Sequence, residues 1–183
     1  DGLVAPMVES RFGVTKFTQA VKAVFSNRKI FKSINIETRN AVVCVDEILE
    51  EAKDNIDNVT VGRTDLARSY FDSKIQPDSE FILNLIEKLS HKVCSHGLTL
   101  TVGGSITKSS IERFKQYKEN FGGRLFSIET RKIVLPTHQM LEKEKSLTEA
   151  LFFEELYLSN KLENEVWLSH ADRMRLTDLK KRI

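Results

Sequence analysis

Two carboxylates, Glu37 and Asp65, fall where predicted β-strands run out into loops. Glu37 closes Ser33-Ile34-Asn35-Ile36-Glu37-Thr38, and Asp65 follows Val59-Thr60-Val61-Gly62-Arg63-Thr64. A single predicted helix separates them. In a β/α barrel, side chains at the C-terminal ends of neighbouring strands face one mouth, and the active sites of that fold are built there. Two hard oxygen donors in that position suit a Mg²⁺-type cation and leave coordination places for water and substrate. Taken singly, each residue also has a plainer reading. Glu37 can be an acid favoured at a helix N-terminus, and Asp65 an N-cap or Asx turn.

The elements that would position this pair alternate in type. Residues 3–8 form a short apolar run that reads as a buried strand. Ser10 caps a helix over 12–25, carried by Val14, Phe17, Val21 and Val24. A strand at 32–36, a helix at 39–53, a strand at 58–62 and a helix opening at Pro77-Asp78-Ser79 follow. Gly97 ends that helix. A strand at 98–102, Gly103-Gly104-Ser105, a helix over 107–121 closed by Gly122-Gly123, and a strand within 124–135 stopped by Pro136 complete the alternation. This order predicts an α/β fold of right-handed βαβ units with a parallel sheet. The sheet is either doubly wound and open or part of an eight-stranded barrel. No GxGxxG follows the first strand, which argues against a dinucleotide-binding unit. Residues 141–183 read as a charged helical tail with Leu147, Ala150, Leu151, Leu158, Leu162, Val166 and Trp167 as anchors. Such a stripe must pack on the barrel or on another subunit.

Composition narrows the function classes. With 28 basic and 26 acidic residues the net charge is only +2, so nucleic-acid and membrane partners are not expected. No apolar run spans a bilayer, and no signal-peptide pattern opens the chain. Cys44 and Cys94 lack CxxC spacing and read as free buried thiols of a cytoplasmic protein. His91, His96, His138 and His170 have no base–nucleophile spacing and read as structural or surface residues.

Three stretches carry a resemblance: Asp1-Gly2-Leu3-Val4-Ala5-Pro6-Met7-Val8-Glu9-Ser10, Asn35-Ile36-Glu37-Thr38 and Val61-Gly62-Arg63-Thr64-Asp65-Leu66. In that order they resemble the HpcH/HpaI aldolase and citrate lyase β-subunit family, which belongs to the phosphoenolpyruvate/pyruvate-type barrels. Gly103-Gly104-Ser105-Ile106 and Glu129-Thr130-Arg131-Lys132 resemble a less characterised branch. The resemblance implies a TIM (β/α)₈-type barrel lacking its first three β/α units. Residues 1–135 would supply strands four to eight, and residues 136–183 a helical C-terminal extension. It further implies a divalent metal, Mg²⁺ or Mn²⁺, held by Glu37 and Asp65, and a homo-oligomer assembled through C-terminal helices. By the same resemblance the family's substrate-binding arginine and, in the aldolase branch, its catalytic histidine fall before residue 1, so no catalytic residue is assigned.

The chemistry follows from the metal pair. A 2-keto acid chelates a cation through its carboxylate and ketone, and the cation stabilises the enolate left when a carbon–carbon bond breaks. The substrate is therefore expected to be a small 2-keto acid or an acyl-CoA. By resemblance, the backbone N–H groups of Gly62, Arg63 and Thr64 receive the substrate carboxylate, and Asn35 hydrogen-bonds the ketone or a metal-bound water. Arg63 and Thr64 depart from the small residues and proline common there; Arg63 either points outward or selects an acidic substrate. Arg131 shares a strand face with Glu129, and both are weighed as mouth residues or as an internal ion pair. Glu9, Arg68 and Gly103-Gly104-Ser105 have surface or turn readings beside their site readings. The functional expectation is a metal-dependent carbon–carbon lyase or aldolase. The alternatives are a noncatalytic barrel relative and an assembly module with an incomplete site.

Overall fold

The computed structural model describes residues 1–26, 28–143, 145–164 and 170–181. Its elements, in chain order, are β1 (Gly2–Ala5), α1 (Arg11–Val24), β2 (Phe31–Ile36), α2 (Arg39–Val43), α3 (Val45–Ala52), β3 (Asn58–Gly62), α4 (Arg63–Arg68), α5 (Glu80–Ser95), β4 (Thr99–Gly103), α6 (Lys108–Gln116), α7 (Lys118–Phe121), β5 (Leu125–Glu129), β6 (Val134–Pro136), α8 (Thr137–Glu142), α9 (Ser146–Asn164) and α10 (His170–Lys180). The strands form one sheet in sequence order. The first four pairings are parallel and the last is antiparallel. The sheet curls into half a barrel with helices on its convex side.

Alternation sorts the two faces of the sheet. Ile34, Ile36, Val59, Val61, Leu100, Val102 and Ile128 are buried against the helices in one continuous core. The opposite, concave face carries Ser33, Asn58, Thr60, Thr101 and Ser127, all buried. TIM-barrel interiors are usually filled by bulky branched side chains; here the lining is a polar ladder. Asn58 Nδ2 donates to Ser33 Oγ at 2.8 Å and its Oδ1 accepts from Thr99 and Thr101 at 2.9 and 3.0 Å. Thr101 and Ser127 share a hydrogen bond of 2.7 Å. These buried polar groups satisfy one another, which offsets the cost of removing them from water.

Local signals set several boundaries. Ser10, Thr38, Ser79 and Thr107 each cap the helix that follows by accepting a backbone N–H, and Thr107 with Ser110 completes a capping box. Gly122 takes a left-handed conformation, φ 51°, to end α7.

The structure also differs from the sequence reading. The expected buried strand at 3–8 is shorter and lies at an edge, with Val4 59% exposed, because β1 pairs only with β2. The helix expected over 39–53 divides at Cys44, and the one over 107–121 divides at Tyr117. The six-residue α4 was not anticipated. Residues 124–135 hold two strands rather than one. Thr130 N–H bonds to the Ile133 carbonyl at 2.8 Å, turning the chain into β6, and Pro136 is the last residue of β6 rather than the stop of β5. In the tail, Leu147, Leu151, Leu158, Leu176 and Leu179 join the main core, so this segment packs on the sheet's own helices. Val166 and Trp167, read as anchors, lie outside the described residues.

Candidate active site

The strand register builds the site as a layer. Gly62 pairs with Gly103, and the register on either side carries the row outward to Glu37 and Glu129. The layer nearest the C-terminal ends of β2 to β5 is therefore carboxylate, glycine, glycine, carboxylate. Gly62 leaves the space that Glu37 occupies. A Cβ on Gly62 would stand 2.5 Å from Glu37 Oε2, whereas one on Gly103 would meet the Glu129 side chain at an ordinary 3.6 Å. One layer deeper lie Asn35, Thr60, Thr101 and Ser127.

Glu37 is buried, at 7% exposure, and its Oε1 accepts the Met7 N–H at 2.8 Å. Met7 adopts φ 53° to make that bond. Left-handed backbone at a non-glycine residue is held only where its surroundings impose it, and it concentrates at functional sites. Asn35 Nδ2 lies 3.5 Å from both Glu37 oxygens, at the limit of a hydrogen bond. Asn35 Oδ1 is buried and meets no donor among the described residues. Asp65 sits in the first turn of α4, half-exposed, with Arg68 at 3.9 Å.

These groups open on one cavity of about 580 Å³. Of the residues assigned from sequence, Asn35, Glu37, Gly62, Thr64, Asp65 and Arg131 line it. Arg63 does not. Its side chain is fully buried, and it donates to the carbonyls of Gly103 and Gly104 behind the cavity wall. The Arg63 side chain therefore neither points outward nor selects a substrate, the two roles expected of it: two carbonyls, Asp78 and the Phe114 ring draw the guanidinium inward.

Glu129 and, from the tail, Arg175 and Asp178 also line the cavity. Glu129 was weighed from sequence; the tail pair carries no local signal and depends on how α10 folds back. Arg175 grips the fully buried Glu154 through two bonds of 2.8 and 2.9 Å. Burial works against its charge, but Glu154 and Asp178 outweigh that and hold its pKa above the ordinary value.

Burial raises the Glu129 pKa above the ordinary carboxylate value, and the charge of Glu37 raises it further. A carboxyl shifted upward on folding binds more protons in the folded state. Stability therefore falls as pH rises from the unfolded value, about 4.3, through the folded one. Glu129→Gln removes that fall. In chelator, its melting temperature is expected to exceed that of the wild type at pH 7, with the two converging near pH 4. A pH-independent difference in thermal melts would contradict this.

A Mg²⁺-type cation fits the donor set. Two carboxylates and the unpartnered Asn35 amide oxygen supply hard oxygens, and such ions keep several waters beside one or two carboxylates. Among the described residues, no group of three or more His, Cys, Asp or Glu side chains is placed to hold a metal ion.

No protein-family model matches the chain, and no curated protein matches it. Solved structures do. An HpcH/HpaI aldolase/citrate lyase family protein from Burkholderia cenocepacia matches over 81% of this chain and 64% of its own, at 14% identity and TM-score 0.53. A citrate lyase from Burkholderia xenovorans covers 97% and 61%, at 12% identity and TM-score 0.57. A Haloferax volcanii malate synthase, solved as a lead(II) complex, covers 98% and 59%, at 13% identity and TM-score 0.59. At these identities the likeness establishes the fold. The chain spans roughly three-fifths of the length of the proteins it matches. Among the described residues, no helix is long and apolar enough to cross a membrane.

Proposed function

We propose that this cavity is the site of a metal-dependent carbon–carbon lyase or aldolase acting on a 2-keto acid or an acyl-CoA-type substrate. The observation that carries the reading is the layer Glu37–Gly62–Gly103–Glu129 opening on the same cavity as Asp65. The fold's likeness to proteins titled aldolase, citrate lyase and malate synthase supports it. On this reading the five parallel strands correspond to strands four to eight of an eight-stranded barrel.

Glu37 and Asp65 would hold Mg²⁺ or Mn²⁺, and the buried Asn35 Oδ1 would offer a further oxygen. When bound, the cation supplies Lewis-acid stabilisation of the enolate oxygen. Gly62 keeps the Glu37 carboxylate in place by lacking a side chain. Thr64 and Arg131 bind the substrate carboxylate at the cavity wall. Glu129, across the glycine floor from Glu37, takes the proton of the substrate hydroxyl on a carboxylate oxygen. As the carbon–carbon bond breaks, the bonding pair passes into the enolate. The same carboxyl then returns its proton to the enolate carbon. Its raised pKa suits a group that must hold that proton between the two steps.

The test is turnover by the complete gene product with Mg²⁺ or Mn²⁺ on a panel of 4-hydroxy-2-keto acids and acyl-CoA thioesters. Release of a 2-keto acid and an aldehyde, or of the corresponding thioester fragments, is expected, with loss in Glu37→Gln. Absence of turnover on every member would contradict the reading.

A further inference from the structure

Arg63 begins α4, yet its side chain runs away from the cavity and is completely buried. A guanidinium has five N–H donors in a fixed fork, and each finds an acceptor here. Nε donates to the Gly103 carbonyl at 3.1 Å. Nη2 donates to the Gly104 carbonyl at 2.7 Å and to Ser110 Oγ at 3.3 Å. Nη1 donates to the Pro77 carbonyl at 3.3 Å and pairs with Asp78. The ring of Phe114 lies 4.9 Å from Cζ and closes the remaining face. Burial lowers the pKa of Arg63, and Asp78 opposes that shift.

What the fork grips matters more than the grip itself. Gly103 ends β4 and Gly104 opens the turn after it, Ser110 lies in the first turn of α6, and Pro77-Asp78 precede α5. From the cavity side the same turn is pressed against the start of α4. The open Cβ position of Gly104 stands 2.7 and 2.8 Å from the backbone nitrogens of Thr64 and Arg63. Thr64 Oγ1 donates to Ser105 Oγ at 3.1 Å, and Ser105 is held at φ 49°. Thus one residue's backbone touches the front of the turn while its side chain holds the back.

We infer that Arg63 is a positioning residue for this cavity: its fork fixes the 103–105 turn against the start of α4 and so sets where Thr64 and Asp65 present their oxygens. The inference takes the cavity as the active site, as proposed above. Arg63 itself touches no substrate.

Arg63→Lys tests it. Lysine keeps a charge opposite Asp78, but its three N–H donors leave one nitrogen and cannot reach the five acceptors that the fork meets from three. Hydrogen exchange of the backbone amides at 104–106 is expected to quicken about tenfold, with the amides of β2 and β3 unchanged. Mn²⁺ affinity is expected to fall about tenfold although the variant melts cooperatively, in the range seen when groups supporting a metal site are lost. Unchanged exchange at 104–106, a uniform increase throughout the sheet, or unchanged Mn²⁺ affinity would each overturn the inference. Phe114→Leu, which removes the ring against the guanidinium and leaves all five acceptors and the α6 capping box in place, keeps it falsifiable if Arg63→Lys does not fold. A smaller increase confined to the same amides is expected, and none would overturn it. If the wild type binds no Mn²⁺, the metal reading falls while the exchange comparison still decides the role of Arg63.

Discussion

Replacing Arg63 with methionine is expected to destabilise the fold by about 3–5 kcal/mol, the range for breaking a buried ion pair from one side. For a chain of this size that is a fall in melting temperature on the order of 10 °C. Two losses combine. Asp78 keeps its charge in a partly buried place without its partner, and Ser110 loses one of its donors. The carbonyls of Gly103 and Gly104 lose their side-chain donors behind the cavity wall. Methionine fills much of the volume against Phe114, so a cavity is not the main cause. Urea unfolding of wild type and variant measures the effect, and a loss below about 1 kcal/mol, within the range of ordinary point mutants, would contradict it.

Gly62→Ala is expected to weaken divalent-cation binding by about 10–100-fold, as for loss of a group that holds a ligand in place. Gly62 has φ −85°, which alanine accepts, so backbone strain is not the cause. The cause is space. The new methyl would lie 2.5 Å from Glu37 Oε2 and 3.0 Å from Glu37 Cβ. The carboxylate end can swing aside, but doing so breaks its bond from the Met7 N–H and carries it out of the layer. Gly103→Ala is the control. Its methyl meets Glu129 at ordinary contact distance, so Mn²⁺ affinity is expected to change little. Equal effects from the two substitutions, read by calorimetric titration, would contradict the geometric account.

How much of this was legible in the sequence differs by residue. Glu37, Gly62 and Asp65 could be found because they stand where alternating strand residues give way to helix, a local signal. Glu129 was visible as a strand-end acid. Its place across two glycines from Glu37 needed the register of three strand pairings, which no single segment encodes. Arg63 was misread because an arginine beside an aspartate looks like a surface or substrate charge. Its true partners, the carbonyls of Gly103 and Gly104, lie 40 and 41 residues away in sequence. The antiparallel β6 escaped because its turn, Thr130-Arg131-Lys132-Ile133, contains neither glycine nor proline. The Thr130 side chain closes it instead, accepting the Ile133 N–H at 3.3 Å. Arg175 and Asp178 reach the cavity only because α10 folds back, and helical periodicity in the tail gave no hint of that.

On the proposed function, Glu37 and Asp65 together hold a divalent cation. Calorimetric titration of Mn²⁺ into wild type, Glu37→Gln and Asp65→Asn tests it most directly, since both substitutions keep side-chain size and remove one charge. One site is expected in the wild type, with affinity at least about tenfold weaker in each variant. Affinity unchanged in both variants, or no binding by the wild type, would contradict it.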